Sequence, residues 1–303
     1  MNEKKILRCQ SKKKALVDIM VLTYNHERYI GQALDSILMQ QTDFPYRIVV
    51  GEDCSTDNTR EIVLDYYERF SDKMEVVLWE KNVGVLQNDL EIMRKCDAKY
   101  IASLEGDDYW TDKHKLQKQV FFLESHQNYI GTAHNVRCVD QWGELLHRDF
   151  RFYPVCEEHI YGKKQALKHE LISQTASLVY RNVYKEWKDS QWEFYLKSNI
   201  NGDLVGQTFL GMQGDVYFFR EIMADHRRSF EGDSWTSKTS GRNMLFYNYV
   251  VWKKLDQYLA AQYGVGINTE NMWDFLWSEG KRRLLCDFNI KNLKVCCQLL
   301  FNK

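Results

Sequence analysis

Two short apolar runs decide the fold of this chain: DIMVL (Asp18–Leu22) and RIVVG (Arg47–Gly51), separated by a helical period near Tyr29–Met39. Strand-like runs that alternate with longer helical patterns are typical of βαβ units around a parallel sheet. The alternation continues to Glu124 and predicts two more strands and three more helices, over Glu75–Trp79, Tyr100–Leu104, Asp57–Phe70, Val85–Lys95 and Lys113–Ser125. The first half of the chain is therefore predicted to be an α/β fold.

The pattern changes after Tyr129, where short strands no longer alternate regularly with helices. The predicted elements are strands over Tyr129–Cys138, Leu145–Phe152 (after a Trp142-Gly143 turn), Thr175–Tyr180 and Val216–Phe219, and a helix over Leu204–Met212. The polar stretch His226–Gly241 is predicted to be a loop and a candidate lid, and the chain is aromatic and helical from Arg242 onward. We therefore expect the sheet to become mixed.

These changes predict a basic N-terminal segment over residues 1–16, a central domain over residues 17–235 and a helical C-terminal region over residues 236–303. Within the central domain, residues 17–128 and 129–235 form the two predicted halves. A chain of 303 residues exceeds the size at which one core stops growing, which favours a main domain with an appendage.

Composition excludes several classes of protein. A formal net charge of −1 removes the electrostatic argument for nucleic-acid binding, and 44% apolar residues exclude long disorder. The first 14 residues carry six Lys or Arg and no apolar core, which is unlike a secretory signal. The eight cysteines show no CxxC pair and no zinc-finger spacing, so we interpret them as reduced thiols and expect the chain to stay in the cytoplasm.

Polar residues follow each of the first four predicted strands, in the segments Thr23–Glu27, Glu52–Asp57, Glu80–Gly84 and Glu105–Trp110. Ligands of open parallel sheets bind beyond these carboxyl ends. No GxGxxG or GxxxxGK[ST] motif is present, so a diphosphate would need another counter-charge. Asp107 and Asp108 favour Mg²⁺ or Mn²⁺ as that counter-charge. In the alternative interpretation, Asp107 and Asp112 only turn the chain and cap the next helix.

Taken together, these segments resemble family 2 glycosyltransferases, which are inverting enzymes of the GT-A fold that use nucleotide-sugar donors. The resemblance rests on DIMVLTYN (Asp18–Asn25), EDCSTDNT (Glu52–Thr59), EKNVG (Glu80–Gly84) and EGDD (Glu105–Asp108). Three positions depart from the family pattern: Glu52 replaces Asp, Cys54 replaces Gly and Glu105 often corresponds to Asp. The family implies a Rossmann-like mixed sheet flanked by helices, here with a C-terminal helical appendage.

The resemblance also implies roles for individual residues. Tyr24 would stack on the donor base and Asp53 would hydrogen-bond it. Asp107 would lie toward the ribose or the metal, and Asp108 would hold the metal, Mn²⁺ or Mg²⁺. The full set of implied donor-binding residues is Leu22, Tyr24, Glu27, Asp53, Asn82, Gly84, Asn88, Asp107 and Arg227.

In the second half, the family places the catalytic base at the start of a helix, and Asp203 is the best match. Asp203 could also be only a helix N-cap, and Asp215 is a rival base. The segment from His226 resembles the family's Tyr-Arg-x-His segment, so Arg227 or Arg228 could cover the diphosphate. His226 is either a third metal ligand or a surface residue.

We therefore predict a metal-dependent inverting glycosyltransferase that moves a sugar from a nucleotide sugar to a glycan or lipid-linked acceptor. The donor that we expect is a uridine diphosphate sugar. The other functions considered are a sugar nucleotidyltransferase and an inactive nucleotide-sugar-binding module. The basic stretches Lys4–Lys14 and Lys281–Lys303 could contact the inner face of the plasma membrane, although a docked helix or a solvated surface explains them equally.

Overall fold

The computed structural model describes residues 3–146, 157–167, 171–197, 202–228 and 244–265, and for 244–252 the backbone alone. The chain separates into two compact units. The first comprises Met1–Ala166 and Glu170–Arg228, and the second comprises Leu167–His169 and Ser229–Lys303.

The described part of the first unit is built on a ten-stranded sheet. Its strands are β1 (Lys4–Leu7), β2 (Val17–Thr23), β3 (Tyr46–Glu52), β4 (Met74–Trp79), β5 (Tyr100–Glu105), β6 (Tyr109–Trp110), β7 (Tyr129–Val139), β8 (His159–Tyr161), β9 (Val179–Arg181) and β10 (Asp215–Arg227). Its helices are α1 (Ile30–Leu38), α2 (Thr59–Arg69), α3 (Val85–Lys95), α4 (Lys115–Ser125), α5 (Lys163–Ala166), α6 (Asp189–Lys197) and α7 (Gly202–Gln213), with 3₁₀ turns at Thr175–Ser177 and Val183–Glu186.

The strands lie in the order β1-β4-β3-β2-β5-β9-β7-β10-β6, and β8 pairs with β10. Strands β2, β3, β4 and β5 are parallel, as are β7 and β10, and the other pairs are antiparallel. The first five residues of β2 are buried without interruption, which is typical of a parallel strand that is covered on both faces. The mixed α/β fold and the first four predicted strands and helices are thus confirmed.

Two strands of the second half differ in extent from their predicted bounds. Thr175–Ser177 forms a 3₁₀ turn, and only Val179–Arg181 is a strand, because the Gln174 side chain accepts a hydrogen bond from the Ala176 N–H and turns the backbone. The strand predicted over Val216–Phe219 extends to Arg227, since irregularities after Phe219 and Ile222 restore the pairing with β7. His226 and Arg227 therefore belong to a strand and not to a loop. Residues 229–241 of the predicted lid lie outside the described residues.

At the chain ends, Lys4–Leu7 of the predicted basic segment forms an edge strand antiparallel to β4. Leu145 makes one antiparallel bridge to Val139, and residues 147–152 of that predicted strand lie outside the described residues. The described part of the second unit contains α8 (Met244–Tyr263), and the basic stretch Lys281–Lys303 lies outside the described part. None of the described helices combines the length and apolar character needed to cross a membrane.

Candidate active site

The carboxyl ends of β2, β3 and β5 lie level with one another, because Leu22 pairs with both Gly51 and Glu105. The loops that follow these strands therefore begin at the same edge of the sheet. The far end of β10 reaches this edge as well, since its Asp225 pairs with Tyr109 in β6. The site is thus assembled from both halves of the first unit.

Three side chains at this edge, those of Glu105, Asp108 and His226, bring one potential ligand atom each to within 4.8 Å of one another. Asp108 is 1% exposed, and its Oδ2 lies 3.1 Å from His226 Nδ1. Burial raises the pKa of Glu105 well above its ordinary value, and the nearby Asp203 and Asp107 add to that effect. A divalent cation would offset this concentration of negative charge, and the two carboxylates suit Mn²⁺ or Mg²⁺.

The assignment of Asp107 to the metal, next to Asp108, stays a prediction. Among the described residues, the cluster within 4.8 Å contains Glu105, Asp108 and His226, and Asp107 is not one of its members. Its carbonyl oxygen accepts a 2.9 Å hydrogen bond from Arg227 Nε. Burial raises the pKa of the Asp107 carboxyl, while His26 opposes that effect.

Arg227 is buried among the loops at this edge, with 4% of its surface exposed. Its side chain donates to the carbonyl oxygens of Asp107, Asp140 and Gln141, and its Nη2 donates to Gln32 Oε1 at 2.7 Å. Because all three guanidinium nitrogens bind protein oxygens, Arg227 holds these loops together. A contact between Arg227 and a diphosphate stays a prediction.

Asp53 lies at the end of β3 and is buried. Its two carboxylate oxygens accept the backbone N–H groups of Val83 and Gly84 at 2.7 and 2.9 Å, and Asn82 donates to its carbonyl oxygen at 3.2 Å. Burial raises the pKa of Asp53, and these backbone hydrogen bonds oppose the increase. Asp53 therefore fixes the loop over Asn82–Gly84 in place.

Asn88 lies in the core, and its predicted contact with the donor stays a prediction. It is 2% exposed, donates to the Gly51 carbonyl and accepts from Trp79 Nε1. Its amide thus ties α3 to β3 and β4.

The other predicted donor-binding residues, Glu27, Tyr24 and Leu22, differ in exposure and in contacts. Glu27 is exposed and accepts from both the backbone and the side chain of Asn58, so it braces the neighbouring loop. Tyr24 is half-buried on the loop after β2. Leu22 lines a cavity together with Glu105 and Asp203.

Asp203 is the second residue of α7 and lines the same cavity as Glu105. Burial raises the pKa of its carboxyl, a hydrogen bond from the Thr175 side chain opposes the increase, and Asp108 lies close enough to add to it. Asp215 begins β10, at the opposite end of that strand from His226. The structure therefore brings Asp203, and not Asp215, together with the carboxylates after β5.

Sequence reasoning missed Gln174, whose Nε2 lies 2.6 Å from Asp108 Oδ2 and 3.0 Å from His226 Nδ1. The residues around Gln174 in the sequence do not indicate these contacts, since its partners are 66 and 52 residues away along the chain.

The Glycosyl transferase family 2 model matches residues 18–188 of the chain. An uncharacterized protein of Mycobacterium tuberculosis is 30% identical over 236 residues, which is 76% of this chain and 63% of that protein. The chain thus spans less than two thirds of the length of this relative.

Two solved structures share the fold. One is the Staphylococcus aureus protein TarS, residues 1–349, in complex with UDP-GlcNAc, with a TM-score of 0.59 and 16% identity over 94% of this chain and 80% of that one. The other is a mannosyltransferase from Pyrobaculum calidifontis in complex with GDP-Man and Mn²⁺, with a TM-score of 0.51 and 15% identity over 96% of this chain and 85% of that one.

Proposed function

The chain belongs to glycosyl transferase family 2, and on this premise we propose that it is a metal-dependent inverting enzyme. It moves a sugar from a nucleotide-sugar donor, a uridine diphosphate sugar, to a hydroxyl group of a glycan or of a lipid-linked saccharide. The observation that carries the proposal is the position of Asp203 on one cavity with Glu105, next to Asp108 and His226. One site thus contains a candidate base and candidate metal ligands.

Asp203 acts as the general base. The acceptor oxygen attacks the anomeric carbon while the bond from that carbon to the donor diphosphate breaks, and Asp203 takes the hydroxyl proton. Because burial raises the pKa of Asp203, its carboxylate is a stronger base than an exposed aspartate. Thr175 donates to this carboxylate and so orients it.

Glu105, Asp108 and His226 hold the divalent cation, for which Mn²⁺ and Mg²⁺ are the candidates. When bound, the cation stabilises the negative charge that develops on the leaving diphosphate. The complex of the mannosyltransferase neighbour with GDP-Man and Mn²⁺ supports this choice of ion.

The donor lies along the loops that follow β2, β3 and β4. Leu22 and Tyr24 border the base, Asp107 faces the ribose, and the Asn82–Gly84 loop, which Asp53 holds, forms the opposite wall. The UDP-GlcNAc complex of TarS supports a uridine donor. Basic residues near the N-terminus would allow contact with the inner face of a membrane that carries a lipid-linked acceptor.

The test measures nucleoside diphosphate released from UDP-GlcNAc, UDP-glucose, UDP-galactose and GDP-mannose, with Mn²⁺, Mg²⁺ or EDTA. We expect release from one donor that requires the metal and is lost in Asp108→Asn. Asp203→Asn should lower release by about 10²–10⁴-fold and still bind the nucleotide in titration calorimetry. Asp215→Asn is the matched control, because Asp215 lies at the other end of β10.

Two outcomes would contradict the proposal. Nucleotide binding without release from any donor would indicate an inactive binding module. Absence of both metal-dependent binding and release would exclude the donor site itself.

A further inference from the structure

Gln174 connects the two strands that supply the candidate metal ligands. It is 4% exposed, and its Nε2 lies within hydrogen-bond distance of both Asp108 Oδ2 and His226 Nδ1. Asp108 follows β5, whereas His226 is the next-to-last residue of β10, 118 residues later. One neutral amide thus reaches two side chains that the sequence places far apart.

The orientation of this amide is determined by a third contact. Gln174 Oε1 accepts the backbone N–H of Ala176 at 2.5 Å. A backbone N–H can only donate, so the oxygen must face Ala176, and the NH₂ group, with its two donors, must face Asp108 and His226. The glutamine therefore donates to Asp108 Oδ2, and it donates to His226 as well in the tautomer whose Nδ1 carries no proton.

The backbone that carries Gln174 is itself held firmly. Its carbonyl oxygen accepts from the Ser177 backbone N–H and from Ser177 Oγ, at 3.0 and 2.7 Å. Trp110 Nε1 donates to the Ala176 carbonyl, and Gln119 Nε2 donates to the Ser177 carbonyl. The 3₁₀ turn is thus attached to both β6 and α4.

We propose that Gln174 is the positioning residue of the cation site, holding Asp108 and His226 in one shared arrangement. This inference rests on the proposed function. The next residue, Thr175, donates to Asp203, so the same turn orients both the metal ligands and the base. A neutral amide can do this without adding charge to a site that already contains Glu105, Asp107, Asp108 and Asp203.

The experiment measures Mn²⁺ binding to the purified 303-residue chain by electron paramagnetic resonance, without donor. Wild type must bind Mn²⁺ saturably, and failure at this step would contradict the proposed metal site itself, independently of Gln174. In Gln174→Met both donors are lost, and we expect Mn²⁺ affinity to fall by about 10–100-fold, as is usual when an orienting partner of a metal ligand is removed.

Gln119→Met is the matched control. Gln119 is also buried and binds the same turn, through Ser177, but its described hydrogen bonds go to Thr132 and Ser177 and not to Asp108 or His226. It should lower thermal stability and leave Mn²⁺ affinity unchanged. Wild-type affinity in Gln174→Met, or an equal loss in Gln119→Met, would overturn the proposal.

If Gln174→Met does not fold, Gln174→Glu serves in its place, because the carboxylate keeps an acceptor for the Ala176 N–H. It also puts a carboxylate oxygen where the amide nitrogen was. We expect an altered zero-field splitting of bound Mn²⁺. An unchanged spectrum together with an unchanged affinity would overturn the proposal.

Discussion

Oδ1 of Asp108 accepts a 2.7 Å hydrogen bond from the backbone N–H of Arg227, 119 residues later in the chain. This bond joins the turn after β5 to the end of β10. His226, next to Arg227, is thereby brought to the same carboxylate. The candidate site therefore requires both halves of the first unit to fold together, and its residues can be tested through stability as well as activity.

Arg227→Met is expected to lower the free energy of unfolding by about 3 kcal/mol, because buried carbonyl acceptors lose their charged donor. The guanidinium also lies 4.5 Å from the Tyr29 ring centroid, a contact that methionine does not reproduce. Urea unfolding measures the change, and the exposed Arg69→Met provides the comparison. A variant with wild-type stability but weakened binding of UDP would instead favour a direct role at the diphosphate.

Cys54→Gly should stabilise the protein by about 0.5–1 kcal/mol. Cys54 has a φ of 56°, in the left-handed region that costs a side-chain-bearing residue about 1–2 kcal/mol, whereas glycine adopts it freely. The greater freedom of glycine in the unfolded chain offsets part of the gain.

Gly84→Ala tests backbone strain in the opposite direction, because it adds a side chain at a residue with a positive φ. Gly84 has a φ of 85°, and a Cβ there would meet nothing within 4 Å, so only backbone strain opposes the alanine. We expect a loss of about 1 kcal/mol in thermal or urea unfolding. Equal stabilities of wild type and both variants would exclude backbone strain at these two loops.

Asp89 is expected to make stability depend on pH. Burial raises its pKa to about 7, although the Tyr195 hydroxyl donates to it. Between about pH 4 and pH 7 the folded state keeps a proton that the unfolded chain has lost, so stability falls as pH rises through this window, by up to about 1.4 kcal/mol per pH unit. Asp89→Asn should flatten the profile and be the more stable protein at pH 8.

The measurement is urea unfolding at pH 4.5, 6 and 8 in the presence of a chelator. Asp65→Asn, which removes an exposed carboxylate on α2, is the control and should leave the slope unchanged. Parallel profiles of wild type and Asp89→Asn would contradict the expectation.

Lys115→Met should raise the free energy of unfolding by about 1–2 kcal/mol near neutral pH. Lys115 is fully buried on α4, and its Nζ has no hydrogen-bond partner among the described residues, although it lies 4.2 Å from the Trp110 ring centroid. Burial lowers the pKa of Lys115 well below its ordinary value, so in wild type the unfolded chain binds a proton that the folded state does not.

Stability of wild type should therefore increase as pH rises toward the ordinary lysine pKa, and Lys115→Met should weaken that increase. Urea unfolding at pH 7 and pH 9 tests this. Lys118→Met, on the same helix but exposed, is the matched control. A less stable Lys115→Met would show that the contact with Trp110 outweighs the cost of burying the amine.

Much of the first half was predictable because its signals are local. The run Asp18–Leu22 is apolar enough to be covered on both faces, and the structure confirms a strand over Val17–Thr23. The second half was less predictable, because Arg220 and Glu221 interrupt the apolar pattern that would indicate a strand. In the structure, β10 continues past them, since its pairing with β7 resumes after two irregularities. The turn at Thr175–Ser177 likewise depends on a side chain, Gln174, that competes with strand pairing.

The sequence by itself determined which chemical groups follow each parallel strand, because strand periodicity and polar strand ends are encoded within a few neighbouring residues. Only the tertiary structure decided how those groups are used. It buried Asn88, engaged Arg227 in holding loops, and brought Glu105 and His226 to Asp108. The direction of a side chain depends on contacts between residues more than a hundred positions apart, and such contacts leave no periodic pattern in the sequence.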